Sequence, residues 1–240
     1  MGTGSPTRST FLTACWRNLI LANYAVPESL LRSRLPPGLE LDTWDGQCWA
    51  SLVGFQFLNT RVRGISCPGY RNFPEWNLRF YVRQGEVRGV CFVREFVPRR
   101  LVAWVARTIY NEPYQAAAMS MSVIETQEAV TAAYTVQWAG RTHTLSAVGD
   151  VPAIRPNPAS LEHWFKEHSW GFGLTRRGRL QRYAVNHPEW DVHPVRSFAA
   201  DVDWGLLYGP EWAVMNGVTP ASVVLAVGSP VSVYPSGTIR

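Results

Sequence analysis

Lysine is almost missing from this 240-residue chain: of 23 basic residues only Lys166 carries an amine, and the others are arginine. Chemistry that needs a deprotonatable amine, above all a Schiff base, therefore has a single candidate, because arginine stays protonated and can only bind. A coding bias toward arginine is the plainer origin of the imbalance. Cysteine is scarce as well. Cys15, Cys48, Cys67 and Cys91 are widely separated and form no CxxC pair, so buried free thiols in a reducing, cytoplasmic protein are expected. Residues 1–10 are small and polar and read as a disordered leader. No apolar run follows that is long enough for a signal peptide or a membrane span.

Charge is low, at 17% against 46% hydrophobic residues, which excludes a disordered, collagen-like or coiled-coil chain. The net +5 gathers into nothing longer than pairs such as Arg99-Arg100 and Arg176-Arg177, so neither a nucleic-acid nor a membrane partner is expected. The familiar signatures GxGxxG, GxxxxGK, GxSxG and HExxH are absent. His143, His163, His168, His187 and His193 never take the spacing of two zinc ligands on one helical face, and no cysteine pair supports them. No metal and no cofactor are expected.

What the chain does contain is strand-like alternation. Across Glu75 to Arg83, Trp76, Leu78, Phe80 and Val82 fall on one face and Glu75, Asn77, Arg79, Tyr81 and Arg83 on the other. Gln84-Gly85-Glu86 then predicts a turn into an antiparallel partner over Val87 to Phe96. A short helix is expected over Pro27 to Leu35, stopped by Pro36-Pro37-Gly38, and hairpins around Asp45-Gly46 and Arg177-Gly178. The period changes at Leu101, Trp104, Val105, Thr108 and Ile109, which predicts a helix with that stripe inward and Arg100, Ala103 and Arg107 on its other side. Strands resume over Met119 to Thr126, Thr131 to Ala139 and Arg141 to Ala147. Asn157-Pro158 reads as the start of a further helix whose inner stripe is Leu161, Trp164, Phe165 and His168. The expected architecture is one α+β domain over residues 11–240, built on a large, curved, mostly antiparallel sheet.

The polar face of the Glu75 strand is either solvated or lines a cavity, since each buried polar group needs a partner. In a cavity, Arg79 could clamp an anionic oxygen while Glu75 or Tyr81 moves a proton.

The block Leu35-Pro36-Pro37-Gly38-Leu39-Glu40-Leu41-Asp42 resembles the acetoacetate-decarboxylase-like superfamily, and so do Asn72-Phe73-Pro74-Glu75-Trp76-Asn77-Leu78-Arg79-Phe80-Tyr81-Val82 and Ala106-Arg107-Thr108-Ile109-Tyr110-Asn111-Glu112-Pro113-Tyr114. Within it they are most similar to the bacterial YqjF-type branch, the domain of unknown function 2071. Val185-Asn186-His187-Pro188-Glu189-Trp190 resembles that branch's His-Pro-Pro-Trp element, with Glu189 in place of the second proline. The resemblance implies a cone-like, mostly antiparallel β barrel with a few outer helices and a ligand cavity inside. It also implies a lysine pair directly after the proline that follows an arginine by six residues. Arg107 and Pro113 keep the spacing, but Tyr114 and Gln115 occupy the lysine positions.

A phenol and an amide cannot form an iminium, so Schiff-base decarboxylation is not expected. The resemblance instead points to a small anionic carbonyl compound as ligand. Glu75 and Tyr114 are the candidate catalytic residues, with Arg79, Arg107, Asn77, Tyr81 and Gln115 as candidates for holding the substrate. Plainer roles stand beside these: Tyr114 as an aromatic wall, Arg107 as a solvated residue or a partner of Glu112. A non-catalytic ligand-binding module and an interaction protein with an aromatic surface or a homo-oligomeric interface are the competing classes. An enzyme would carry a perturbed ionisable group in an open cavity, a binding module only unperturbed ones, and an interaction protein no cavity at all.

Overall fold

The structure, a computed structural model, describes residues 10–239. Apart from Thr10, the leader expected over residues 1–10 lies outside the described residues. In chain order the first half contains β1 (Leu12–Ala25), α1 (Glu28–Arg32), β2 (Glu40–Leu41), β3 (Trp49–Val62), β4 (Phe73–Gln84), β5 (Val87–Val97), α2 (Arg100–Ile109) and β6 (Tyr114–Ala116). There follow β7 (Ala118–Glu125), β8 (Ala129–Trp138), β9 (Arg141–Asp150), α3 (Leu161–Lys166), β10 (Trp170–Leu174), β11 (Leu180–Asn186), β12 (Val192–His193), β13 (Val195–Asp201), α4 (Trp204–Tyr208), a 3-10 turn over Pro210–Met215, β14 (Ser222–Val233) and β15 (Gly237–Thr238).

The fold is a sheet-dominated α+β arrangement. Strands β14, β1, β3, β4, β5, β10 and β11 lie side by side, and β11 pairs back onto β14, so seven strands close into a ring. Only the β5–β10 junction in that ring is parallel. The expected β4–β5 and β10–β11 hairpins are both present and antiparallel. A second, four-stranded sheet of β13, β9, β8 and β7 packs on the ring without hydrogen-bonding into it.

The alternation of β4 separates two environments. Trp76, Leu78, Phe80 and Val82 enter the main hydrophobic core, where they meet Ala132, Tyr134 and Val136 of the second sheet together with α1 and α4. Trp76 also donates its indole N–H to the Tyr208 hydroxyl at 2.8 Å, which satisfies both buried polar groups and seats α4. The opposite face of β4 turns toward the inside of the ring.

Two helices depart from the sequence reading. Helix α3 begins at Leu161 with Ser160 as N-cap, its hydroxyl accepting from the His163 N–H, while Asn157 caps a preceding turn by accepting from the Ala159 N–H. Helix α2 is rotated relative to the expectation. Ala103 is its buried residue, Val102 and Ala106 face inward, and Leu101, Trp104, Thr108 and Ile109 stay exposed. Small side chains let the helix lie close over the ring, which leaves the bulky ones outside. Of the cysteines, Cys48 and Cys91 are buried, Cys15 is half-buried and Cys67 is exposed.

Candidate active site

The ring encloses a cavity of about 410 Å³. Its walls are largely apolar, with Trp16 from β1, Phe55 and Phe57 from β3, Phe73 from β4 and Val185 from β11, and α2 crosses it with Val102, Val105 and Ala106. Polar groups converge at one place: Glu75, Asn77 and Arg79 from β4, Glu95 from β5, Glu112 from the segment after α2, Tyr114 from β6 and Tyr183 from β11.

Strand register explains this convergence. Asn77 pairs across β4–β5 with Glu95, and Glu95 pairs across β5–β6 with Tyr114, so three adjacent strands present neighbouring side chains. A register shift between Leu78 and Arg79 inserts an extra residue in β5, so that Phe92 and Glu95 both reach the cavity, which strict alternation would forbid. Glu112 follows Asn111, whose φ of 53° ends α2 in the left-handed region and turns the chain inward. Tyr183 fits because Gly171 faces it: a Cβ on Gly171 would lie 2.2 Å from the Tyr183 Cζ.

The Tyr114 hydroxyl donates to Oε2 of Glu75 at 2.8 Å, and the Asn77 amide donates to Oε1 at 3.0 Å. Glu95 also lies against the Tyr114 hydroxyl, and Glu112 against that of Tyr183. Arg79 donates to the Phe165 carbonyl at 2.8 Å. Oε2 of Glu95, Oε1 of Glu112, Oδ1 of Asn77 and Nε of Arg79 are buried with no protein partner. Burial leaves these groups short of the partner that a buried polar atom ordinarily has.

Burial dominates the electrostatics. It pushes Glu75 up to about 7, against the opposing hydrogen bonds from Asn77 and Tyr114. Glu112 is pushed up to about 8 by burial, with the Glu75 charge adding to the effect. Glu95 is held well above the carboxylate range by burial and by the charges of Glu112 and Glu75. The phenols of Tyr114 and Tyr183 are likewise raised, first by burial and then by neighbouring carboxylates. Near neutral pH Glu75 thus shares its population between base and acid, Glu112 is mostly protonated, and burial biases Glu95 toward its neutral form. Among the described residues, no three His, Cys, Asp or Glu side chains are disposed to hold a metal ion.

Of the residues singled out in the sequence, Glu75, Asn77, Arg79 and Tyr114 meet in this cavity. Three do not line it. Tyr81 shares the face of Glu75 but lies where α3 covers the strand; it packs on Trp164 and Phe165 and bonds the Ser51 hydroxyl. Arg107 is exposed on the outer face of α2, where the helical period placed it, and forms no ion pair with Glu112. Gln115 follows Tyr114 on β6 and so points away from the cavity. Glu95, Glu112 and Tyr183 were not anticipated. Glu112 had one visible signal, a carboxylate between a helix-ending Asn and a Pro, but nothing in the sequence reveals the bulge behind Glu95.

The family model described as an uncharacterised conserved protein, DUF2071, matches residues 13–230. The chain belongs to the DUF2071 family. Within reach of it is the uncharacterised protein YqjF of Bacillus subtilis (strain 168), 31% identical over 183 residues, which are 73% of this chain and 72% of YqjF. The fold of this DUF2071 protein is that of acetoacetate-decarboxylase-like proteins. The acetoacetate decarboxylase of Legionella pneumophila superposes with a TM-score of 0.62 at 11% identity, covering 100% of this chain and 92% of that one. The enduracididine biosynthesis enzyme MppR, in a complex with pyruvate, superposes with a TM-score of 0.67 at 13% identity over 100% of this chain and 94% of its own.

Proposed function

We propose that this DUF2071 protein is an enzyme that moves a proton on a small carbonyl compound without forming a Schiff base. The seven-strand ring is read here as the cone-like barrel of the superfamily, and its interior as the reaction chamber. One observation carries the reading: Glu75, buried and held near 7, is gripped by Tyr114 and Asn77 at the polar end of an otherwise apolar cavity. A carboxylate whose pKa is near neutral can act as both base and acid.

In this reading the Glu75 carboxylate takes a proton from the carbon next to a carbonyl, and the electron pair moves onto the carbonyl oxygen. Protonated Glu95 or Glu112 donates a hydrogen bond to that developing enolate, as neutral buried acids can where water is excluded. Return of the proton completes an exchange or an isomerisation. Arg79 is the one cationic side chain that lines the cavity among the described residues, so it is the group placed to meet a substrate carboxylate. The complex of MppR with pyruvate supports a carbonyl acid as a ligand of this fold. The cavity lining contains no lysine, and the only lysine of the chain, Lys166, is buried in an ion pair with Glu167, which supports chemistry without an imine.

The test is deuterium exchange. A panel of keto acids and apolar ketones incubated in D₂O should include a compound that exchanges at the α-carbon, followed by proton NMR. Glu75→Gln should slow that exchange by roughly 10²- to 10⁴-fold. Exchange that survives the substitution unchanged removes Glu75 from the mechanism.

A further inference from the structure

We infer that the face around the cavity mouth docks on an anionic lipid bilayer. The mouth is bounded by two segments, residues 60–72 at the end of β3 and residues 98–109 including α2. Both contribute to the cavity wall, through Val62, Ile65, Cys67 and Tyr70 on one side and Leu101, Val102, Val105 and Ala106 on the other. They also touch directly: the Arg99 guanidinium lies over the Tyr70 ring, 5.9 Å from its centroid, inside the ~6 Å reach of such a contact.

What these two segments expose is unusual for a surface open to water. Ile65 is 68% and Trp104 57% exposed, joined by Val62, Leu101 and Ile109. Interleaved with them are Arg61, Arg63, Arg71, Arg99, Arg100 and Arg107, all exposed and none in an ion pair among the described residues. Neither segment contains an aspartate or glutamate. The arginines are scattered pairs in sequence, and only folding brings β3's end and α2 together into one basic, apolar surface.

That combination selects its partner. An isologous contact with a second copy would set the arginines against themselves, with no acids in either segment to relieve them. A polynucleotide would meet the charge but would leave Ile65, Leu101 and Ile109 facing phosphates. A bilayer with anionic headgroups satisfies both components: arginine at headgroup level, and Trp104 with its aliphatic neighbours at the edge of the acyl region. Helix α2 supports this, since its one-sided exposure of Leu101, Trp104 and Ile109 suits a helix lying in the interface plane. Docked in this way, the cavity would open toward the bilayer surface.

This surface borders the cavity but does not include Glu75 or its hydrogen-bond partners, so its test needs no activity. Co-sedimentation of the intact protein is measured with vesicles of phosphatidylcholine alone and of phosphatidylcholine mixed with phosphatidylglycerol, at low and high salt. Binding is expected to the mixed vesicles only, and to be lost at high salt. Each exchange of Arg61, Arg63, Arg99, Arg100 or Arg107 to Gln should weaken it by about five-fold, and Trp104→Ala with Ile65→Ser by on the order of ten-fold, with the circular dichroism unchanged. No binding to the mixed vesicles, or binding indifferent to these variants, overturns the inference. So does a dimer in gel filtration that Trp104→Ala dissociates, or arginine-dependent binding of an oligonucleotide in place of vesicles.

Discussion

The Tyr114 hydroxyl and the Glu75 carboxylate meet at 2.8 Å although 39 residues separate them in the chain. Tyr114 reaches the ring interior from β6, which pairs with β5, and Glu75 from β4 on the other side of β5. The bond stabilises the charged form of Glu75 against a burial that opposes it. Together with the Asn77 bond, it raises the share of base present near neutrality.

Tyr114→Phe removes that donor while keeping the ring. The Glu75 pKa should therefore rise further, so the limb of the pH–rate profile that reports the base moves to higher pH, and activity at neutral pH falls. A profile that stays in place would mean that Tyr114 does not tune Glu75.

Stability should fall as pH rises. Glu75 and Glu112 ordinarily titrate near 4.5 but are held at about 7 and about 8 in the folded chain. Between those limits the native state keeps protons that the unfolded state has released. Their contribution is complete below 4.5 and is lost progressively as pH rises through the folded values. Urea midpoints should drop between about pH 5 and about pH 9, and Glu112→Gln should make the drop shallower. His168, held at about 4 by burial, acts in the opposite direction on the acid side, so the comparison with the variant isolates the carboxyl. Equal slopes in wild type and variant would contradict the assignment.

Gly171→Ala should destabilise by about 1–3 kcal/mol through overpacking, because its Cβ would fall on the Tyr183 ring. Combining it with Tyr183→Ala should cost less than the two single changes added together, since the clash disappears with the ring. Strict additivity in thermal or urea unfolding would show that the contact does not matter.

Lys166 should give no borohydride-trapped adduct with acetoacetate, and Lys166→Met should retain α-proton exchange. The amine is buried beside Glu167 and does not line the cavity. A mass increment on Lys166 after reduction would restore imine chemistry as the mechanism.

The inward residues of β4 were readable because period-2 alternation depends only on the pleat, and a strand with one apolar face has one way to sit. The readings that failed all depended on a neighbouring element. Tyr81 has the right parity but lies under α3. Leu101, Trp104, Thr108 and Ile109 of α2 face outward and Ala103 inward, against the expected stripe, because that helix packs by its small side chains, and no helical period reports which face a sheet will accept. Glu95 reaches the cavity through a bulge, a one-residue register shift that leaves no trace in composition.

From residue pattern alone came the sheet-rich α+β class, the lack of an amine where an imine would form, and the polar face of Glu75, Asn77 and Arg79, because these rest on residue type and strand periodicity. Ring closure was needed to bring Glu95, Glu112 and Tyr183 against Glu75 and to gather scattered arginines beside Ile65 and Trp104. Those juxtapositions depend on long-range strand pairing and helix rotation, and the proton affinities follow from the burial that pairing creates.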